Sequence, residues 1–439
     1  MSALIVVTIV AIGLTAVVVG PMAVGSSPRS KLKKKTPVTS PKVVNPSIDS
    51  STNASAALLS ATAPPALGTM AVLGFNDLGM HCINQDFSEI CILPPYNNLH
   101  AQVIDRSGED PRIVTSGVQV LYSVPGNSSS ANKTNFWIFA QRLFGLNAPL
   151  PANLGLTGHG LTGQMTATAD GDWVATGIPL TPITDAGKFD PFQLSIVQAV
   201  QAGKVKGWTM PVVPVSWEIS CNLCHRPDDP TKTASDILQK HDNRFFYIPN
   251  PRYAKALSAS KPVLCASCHA DPALGTKGVA GVPTMSSAMH TAHASRFTPQ
   301  VLNIVNGNTC YACHPGISTQ CQRDIHLTKG ITCSKCHGEM IVVGNPARRP
   351  WVDEPHCTDC HKRQGFAFEE PGKLYKDSRG HNGVKCASCH GSPHAITPTV
   401  TQSDNVQAVL LQGHPGTIND CKVCHRQTPD DQFNHTLHD

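Results

Sequence analysis

The sequence predicts two unlike halves: a mainly-β, sandwich-like domain over residues 68–219, and a segment of few short helices and long loops over residues 220–439. In the first half, short runs of β-branched and aromatic residues recur between Pro, Gly, Asn and Asp, a pattern typical of strands and turns. In the second half, Cys-x-x-Cys-His recurs seven times, at gaps of 23 to 45 residues that are too uneven for a solenoid.

The N-terminal region is predicted to serve export and spacing. Residues 3–24 carry no charge and are long enough to span a bilayer. They also end in small residues, Ala23 to Gly25, as signal peptides do before their cleavage site. We therefore expect a signal peptide or membrane anchor over residues 1–25. Residues 26–67, rich in Ser, Pro and Lys and without periodicity, are predicted to be a disordered linker.

The first half is predicted to be built mainly from strands. The runs that predict them are residues 70–74, 100–105, 118–124, 173–176 and 212–219. One stretch, residues 192–200, is predicted to be a helix that interrupts the strands.

The repeated motif gives the second half its chemistry. Two cysteines three residues apart can each add to one vinyl group of a haem, and the following His then lies beneath the iron as the proximal ligand. Chance placement of these residue types would give roughly 0.03 copies. Zinc ribbons also use cysteine pairs but do not need a His after each one, and thioredoxin-like pairs need a βαβ setting. The sequence therefore predicts seven covalent haems c.

Every motif contributes two attachment cysteines and one proximal histidine. The attachment cysteines are Cys221, Cys224, Cys265, Cys268, Cys310, Cys313, Cys333, Cys336, Cys357, Cys360, Cys386, Cys389, Cys421 and Cys424. The proximal histidines are His225, His269, His314, His337, His361, His390 and His425.

The ligand on the far side of each iron decides what a haem can do. With His on both faces the iron passes electrons but has no open position, whereas an enzyme needs a vacant or labile one. The distal candidates outside the motifs are His241, His290, His293, His326, His356, His381, His394, His414, His435 and His438. Met285, Met289 and Met340 are alternative ligands. His290 and His293 lie three residues apart, on one face of a predicted helix.

A cluster of ligand-type residues lies in the haem-free half: Met80, His81, Cys82, Cys91 and His100. One interpretation is a disulfide between Cys82 and Cys91. In another, His81 or His100 reaches across to a haem as distal ligand, and a third is a copper site. The remaining cysteine, Cys321, is either a free buried thiol or the partner of an N-terminal cysteine.

Composition restricts the class of partner. Aromatic residues make up only 5% of the chain, so porphyrin rings are expected to supply much of the buried apolar area in the second half. The formal net charge is +5, but the propionates of seven haems would bring it to about −2 in the ferric state and about −9 in the ferrous state. The basic balance is thus no argument for nucleic acid.

Several stretches resemble the multihaem c-type cytochromes of metal-reducing respiratory bacteria. They are Cys310-Tyr-Ala-Cys-His-Pro-Gly with Cys321-Gln-Arg-Asp-Ile-His326, Cys386-Ala-Ser-Cys-His-Gly-Ser-Pro-His394, and Asn76-Asp-Leu-Gly-Met-His-Cys82 with Leu93-Pro-Pro-Tyr-Asn-Asn-Leu-His100. The resemblance implies export to the periplasm, outer surface or medium. It also implies redox proteins or extracellular electron acceptors as partners.

Some members of this family form filaments in which a His of one subunit ligates a haem of the next. The resemblance would give that part to His435, His438 or His81. From these features the sequence predicts an electron carrier that is not an enzyme. The alternative is a multihaem reductase with one open-coordination haem.

Overall fold

The computed structural model describes residues 65–245, 255–364, 368–430, 432 and 435. The predicted signal peptide or anchor, most of the predicted linker and His438 lie outside these residues. Within them, every helix is too short or too polar to cross a bilayer.

Strands dominate the chain up to residue 216. They are β1 (Met70–Phe75), β2 (His81–Cys82), β3 (Ile90–Cys91), β4 (Asn97–Asp105), β5 (Arg112–Ile113), β6 (Gln119–Ser123), β7 (Thr162–Gln164), β8 (Thr166–Ala167), β9 (Trp173–Ile178), β10 (Phe192–Leu194), β11 (Ile196–Gln201), β12 (Lys204–Thr209) and β13 (Val212–Ser216). A short strand, β14 (Val263–Leu264), lies in the second half. The larger sheets run β1-β4-β9-β8, with β5 beside β4, and β12-β11-β6-β7. The smaller ones run β10-β13-β2 and β14-β3.

One apolar core joins the larger sheets. Val72 of β1, Leu99 of β4, Val120 of β6 and Val197 of β11 are fully buried in the same cluster. Each buried aliphatic side chain of this size contributes about 1.5–3 kcal/mol relative to an exposed one. The expectation of a sheet-rich first half is confirmed.

The predicted helix over residues 192–200 is wrong. The stretch forms β10 and β11, and β11 pairs antiparallel with β6 on one side and β12 on the other. Both of its edges are therefore hydrogen-bonded, and the apolar run Val197–Val200 enters the buried core. Periodicity cannot separate a short buried strand from a buried helix, and here the pairing with neighbours decides.

The helices are mostly short and concentrate in the second half. They are α1 (Phe136–Phe144), α2 (Thr233–Phe245), α3 (Met285–His293), α4 (Pro299–Ile304), α5 (Ile325–Thr328), α6 (Cys333–His337), α7 (Met340–Val343), α8 (Cys357–Cys360), α9 (Cys386–His390) and α10 (Gln402–Gln412). The expectation of few short helices and long loops after residue 220 is confirmed.

Polar side chains hold the sheets against the second half. Gln407 of α10 pairs with the backbone of Gly74 in β1, accepting at 2.8 Å and donating at 3.0 Å. The carbonyl oxygen of Gln102 in β4 accepts from the backbone N–H of Lys385 and from the hydroxyl of Ser388. Both glutamines thereby satisfy buried backbone groups that water cannot reach.

Candidate haem-binding sites

The Cys-x-x-Cys-His segments fold as single helical turns. The backbone N–H of the motif His donates to the carbonyl of the first Cys, as in His225 to Cys221 at 2.9 Å and His314 to Cys310 at 2.8 Å. Residues three apart in such a turn lie on one face. Both thiols can thus point to one porphyrin edge, which is what double attachment requires.

Every motif histidine faces a histidine from outside the motifs. The pairs and their ring-centre separations are His225–His293 at 6.3 Å, His269–His241 at 6.4 Å, His314–His290 at 6.1 Å, His361–His326 at 6.2 Å, His337–His394 at 6.0 Å, His425–His381 at 6.2 Å and His390–His435 at 5.7 Å.

These separations fit an iron between the rings. A metal–imidazole bond is about 2 Å, and the ring centre lies about 1 Å beyond the nitrogen, so two axial imidazoles have centres about 6 Å apart. The residues present therefore fit haem c with a histidine on each face.

The pairs connect distant parts of the second half. His326 lies seven residues before Cys333, yet it faces His361 of the following motif. His394 lies just after His390 but faces His337. Spacing along the chain therefore does not reveal which candidate faces which motif, because the pairing is made by the fold.

Helix α3 supplies an imidazole to two different motifs. The Nδ1 atoms of His290 and His293 each lie 2.7 Å from the backbone carbonyl four residues earlier. These bonds engage Nδ1 and leave Nε2 free to bind a metal. Since His290 faces His314 and His293 faces His225, the two candidate haem sites lie side by side along one helix.

Burial keeps several of these imidazoles neutral. It lowers the pKa of His314 to about 4, with the nearby His290 acting in the same direction. It also lowers the pKa of His337 to about 4, helped by His394. The neutral ring is the form that binds iron.

Thiols of different motifs lie near one another in space. In each of the following cases burial raises the pKa of a motif thiol and a thiol of another motif raises it further: Cys221 beside Cys265, Cys313 beside Cys221, Cys336 beside Cys360, Cys357 beside Cys386, and Cys389 beside Cys424. The side chains of Cys310 and Cys333 also hydrogen-bond to each other, so the attachment points form a continuous series from Cys265 to Cys424.

His81 and His100 are not brought opposite a motif histidine. Nε2 of His81 lies 3.4 Å from the carboxylate of Asp77, and Nε2 of His100 lies 3.8 Å from the same carboxylate. Nδ1 of His100 lies 2.9 Å from the carboxylate of Asp172. The interpretation of either residue as a distal ligand is therefore corrected: carboxylates of their own half hold them. Across the described part of the chain, no three or more His, Cys, Asp or Glu side chains are arranged to hold a metal ion.

The expected disulfide between Cys82 and Cys91 is not formed. Both are free thiols, and they lie in different surroundings. Cys91 is buried among apolar side chains of helix α1, and the pKa of its thiol is raised by burial and by Cys265. The pKa of Cys82 is raised by burial and then by Cys321, which identifies Cys321 as its neighbour.

Two distal candidates lie away from the motif imidazoles. Nδ1 of His356 lies 2.9 Å from Glu369, and His414 is exposed in a turn near the carbonyl of Pro415. Because every motif histidine already faces another histidine, Met285, Met289 and Met340 are not required as distal ligands. Every histidine of the seven pairs is among those predicted from the sequence, but spacing along the chain does not distinguish the seven distal ligands within the ten candidates.

Comparison with known proteins gives a weak likeness. No family model matches the chain, and no solved structure matches it. Among curated proteins, the dissimilatory sulfite reductase MccA of Wolinella succinogenes is 24% identical over 209 residues. The match covers 46% of this chain but only 25% of the relative's length.

This likeness and the repeated motifs support a multihaem c-type cytochrome. The likeness also corrects one expectation: an electron carrier that is not an enzyme was predicted from the sequence, whereas the relative is a reductase.

Proposed function

We propose that this protein is a redox protein of the multihaem cytochrome c class that transfers electrons through seven haems, each held by histidine on both faces. The single observation behind the proposal is that each of the seven motif histidines faces a non-motif imidazole at 5.7 to 6.4 Å. When bound, the haem irons would supply one-electron redox chemistry.

The chain's own residues have two tasks in this proposal. The motif turns place a proximal His beneath each attachment point, and His241, His290, His293, His326, His381, His394 and His435 close the opposite face. Backbone carbonyls orient several of these rings, as Pro283 does for His269 at 2.9 Å. Sharing α3 between two ligand pairs keeps neighbouring sites close, which favours rapid transfer between them.

Mass and spin state test the proposal together. Intact-mass measurement of the exported protein should show seven added haems. Electron paramagnetic resonance of the oxidised protein should show only low-spin ferric signals, since each iron has two strong-field imidazole ligands. A lower haem count, or a high-spin signal that integrates to a whole haem, would overturn the proposal as stated.

The likeness to a sulfite reductase favours a second candidate, reductase activity at one of these haems. Because the described residues place an imidazole opposite each motif histidine, one distal ligand would have to leave its iron to admit a substrate. Stopped-flow mixing of the pre-reduced protein with sulfite, nitrite and related oxyanions separates the two candidates. Reoxidation that saturates with one oxyanion favours the reductase, and its absence favours electron transfer alone.

Location and partners belong to the proposal as well. We place the protein outside the cytoplasm, in the periplasm or at the cell surface, with other redox proteins or extracellular acceptors as partners. Support comes from the covalent haem motifs and the uncharged residues 3–24.

Assembly into a filament rests on resemblance alone. Of its candidate ligands, His81 is only 5% exposed and His435 already faces His390 within the same chain. Negative-stain microscopy at several pH values and protein concentrations tests it, because discrete particles throughout would exclude a filament.

A further inference from the structure

The imidazoles of the seven pairs differ in what holds their outer nitrogen. Backbone carbonyls lie near Nδ1 of His269, His290 and His293, at 2.7 to 2.9 Å. Carboxylates take this place at two others: Asp236 lies 2.8 Å from Nδ1 of His225, and Asp324 lies 3.1 Å from Nδ1 of His326.

A carboxylate at this position does more than orient the ring. It draws the Nδ1 proton toward itself, which makes the opposite nitrogen a more basic ligand. A more basic ligand stabilises ferric iron relative to ferrous iron and so lowers the reduction potential. A neutral carbonyl has the same effect more weakly, because it carries no full charge.

We propose that Asp236 and Asp324 lower the reduction potentials of the haems at His225–His293 and His361–His326, making them low-potential positions in the series. The proposal rests on the haem ligation proposed above. It makes both aspartates positioning residues, since each acts through an imidazole and does not touch the cofactor.

Asp324 is the stronger of the two cases. It is only 4% exposed, so solvent screens its charge little. Its Oδ1 accepts from the backbone N–H of His326 and Leu327 and caps α5, while Oδ2 remains for the imidazole. The two backbone hydrogen bonds therefore hold the carboxylate independently of its contact with the imidazole.

The charge of Asp236 is partly neutralised by a lysine. Its Oδ2 atom also accepts from Lys240 at 2.7 Å, and its side chain is 19% exposed. Glu354 gives a useful contrast, because its carboxylate lies 3.9 Å from Nδ1 of His337, beyond hydrogen-bond distance, and pairs with Arg348 at 3.0 Å. Glu354 thus allows the effect of a nearby carboxylate that makes no hydrogen bond to the imidazole to be measured in the same protein.

The test replaces single carboxylates by amides in the full haem-loaded protein. Asp324→Asn keeps an oxygen that can cap α5, because Asn is as good an N-cap as Asp. The matched control is Asp420→Asn. Asp420 also caps a turn through its side chain, that of the Cys421 motif, where it accepts from the backbone N–H of Lys422 at 2.9 Å. Its contact is thus with backbone and not with an imidazole.

The readout is potentiometric titration followed by optical and paramagnetic resonance spectra. In Asp324→Asn, and to a smaller extent in Asp236→Asn, one haem should titrate at a higher potential and one low-spin signal should change its g values. Asp420→Asn and Glu354→Gln should leave the g values unchanged and shift the titration less.

Three results would overturn the inference. Asp324→Asn could titrate as the wild type does while all its haems stay low-spin, or it could shift no more than Asp420→Asn. A new high-spin haem in Asp324→Asn would show that the carboxylate only keeps His326 in place. A high-spin haem already present in the wild-type protein would instead count against the proposed ligation, so the two failures can be told apart.

Discussion

At the scale of single residues, the assignment of distal ligands makes the sharpest prediction. His293→Ala should remove the imidazole opposite His225 and leave one iron open. We expect a high-spin ferric signal that integrates to one haem, with the other haems unchanged, because His290 on the same helix serves a different motif. The matched control is His414→Ala, which removes an exposed histidine, and its spectrum should equal that of the wild type. Equal spectra for both variants would contradict the assignment.

A second prediction concerns His100, whose charge affects stability. Burial alone would disfavour the charged ring, but the carboxylates of Asp172 and Asp77 outweigh it and raise the pKa of His100 to about 9. A raised pKa means that the folded state binds the proton more tightly than the unfolded state does. The stabilisation is therefore complete below pH 6.5 and is lost as the pH rises from about 6.5 to about 9.

The expected loss over this range is on the order of 3 kcal/mol. Thermal unfolding between pH 6 and 9.5 measures it. His100→Gln should be less stable at pH 6 and should show a flatter pH profile than the wild type. An unchanged profile in His100→Gln would assign the pH dependence to other groups.

Local chemistry explains which site residues could be predicted from the sequence. Each proximal His could be named because attachment chemistry fixes its position directly after the second Cys. The distal partners could not, since His394 reaches His337 across a separation of 57 residues that only the fold closes. The expected Cys82–Cys91 bridge failed for the same reason: β2 and β3 belong to different sheets.

At the scale of elements, one turn of the first half touches a candidate haem site. Gly79 lies in the turn between β1 and β2 with a φ of 76°, and a Cβ there would overlap the carbonyl of Pro393. In the same turn the carbonyl of Leu78 lies 3.4 Å from Nδ1 of His394. Gly79→Ala should thus destabilise the protein and disturb the haem held by His337 and His394.

Gly117→Ala is the control for this change. Gly117 has nearly the same φ of 74°, but nothing lies within 4 Å of an added Cβ. The backbone cost of about 1–2 kcal/mol is then common to both variants. Only Gly79→Ala should also alter the low-spin signals, and identical effects on melting and spectra would contradict the contact.

Whether a segment is a strand or a helix could be predicted where its local sequence pattern favours the same structure as its pairing with neighbouring strands. β1 and β4 fall where β-branched runs predict strands, since they pair with each other and most of their residues are buried. The helix predicted over residues 192–200 was wrong because their apolar residues suit a helix equally well. Only pairing with neighbours makes strands of them, β10 with β13 and β11 with β6 and β12.

At the scale of the whole molecule, Arg323 joins the two halves. It is fully buried, pairs with Asp404 through two nitrogens and donates to the carbonyl of Gly79 at 2.7 Å. Arg323→Met removes a charge that Asp404 needs, so we expect a loss of about 3–5 kcal/mol in the free energy of unfolding. Arg349→Met is the control, because Arg349 is 72% exposed, and it should change stability by less than about 0.5 kcal/mol. Comparable melting of both variants would contradict a structural role for Arg323.

The halves also differ in what fills their interiors. The sheets enclose large side chains such as Leu99 and Ile178, whereas the buried apolar residues of the second half include many alanines, among them Ala266, Ala312 and Ala387. Small side chains bury too little area to order a chain of this length on their own, so we expect porphyrins to supply the remainder. Protein made without haem attachment should therefore lose order after residue 220 and keep its sheets.

Limited trypsin digestion with mass mapping checks this prediction. The haem-free protein should be cut rapidly at Lys and Arg beyond residue 220 and slowly between residues 70 and 216, while the haem-loaded protein should resist in both halves. Equal resistance of the two forms beyond residue 220 would mean that the second half folds without its cofactors. In that case the paired imidazoles would be a property of the polypeptide alone.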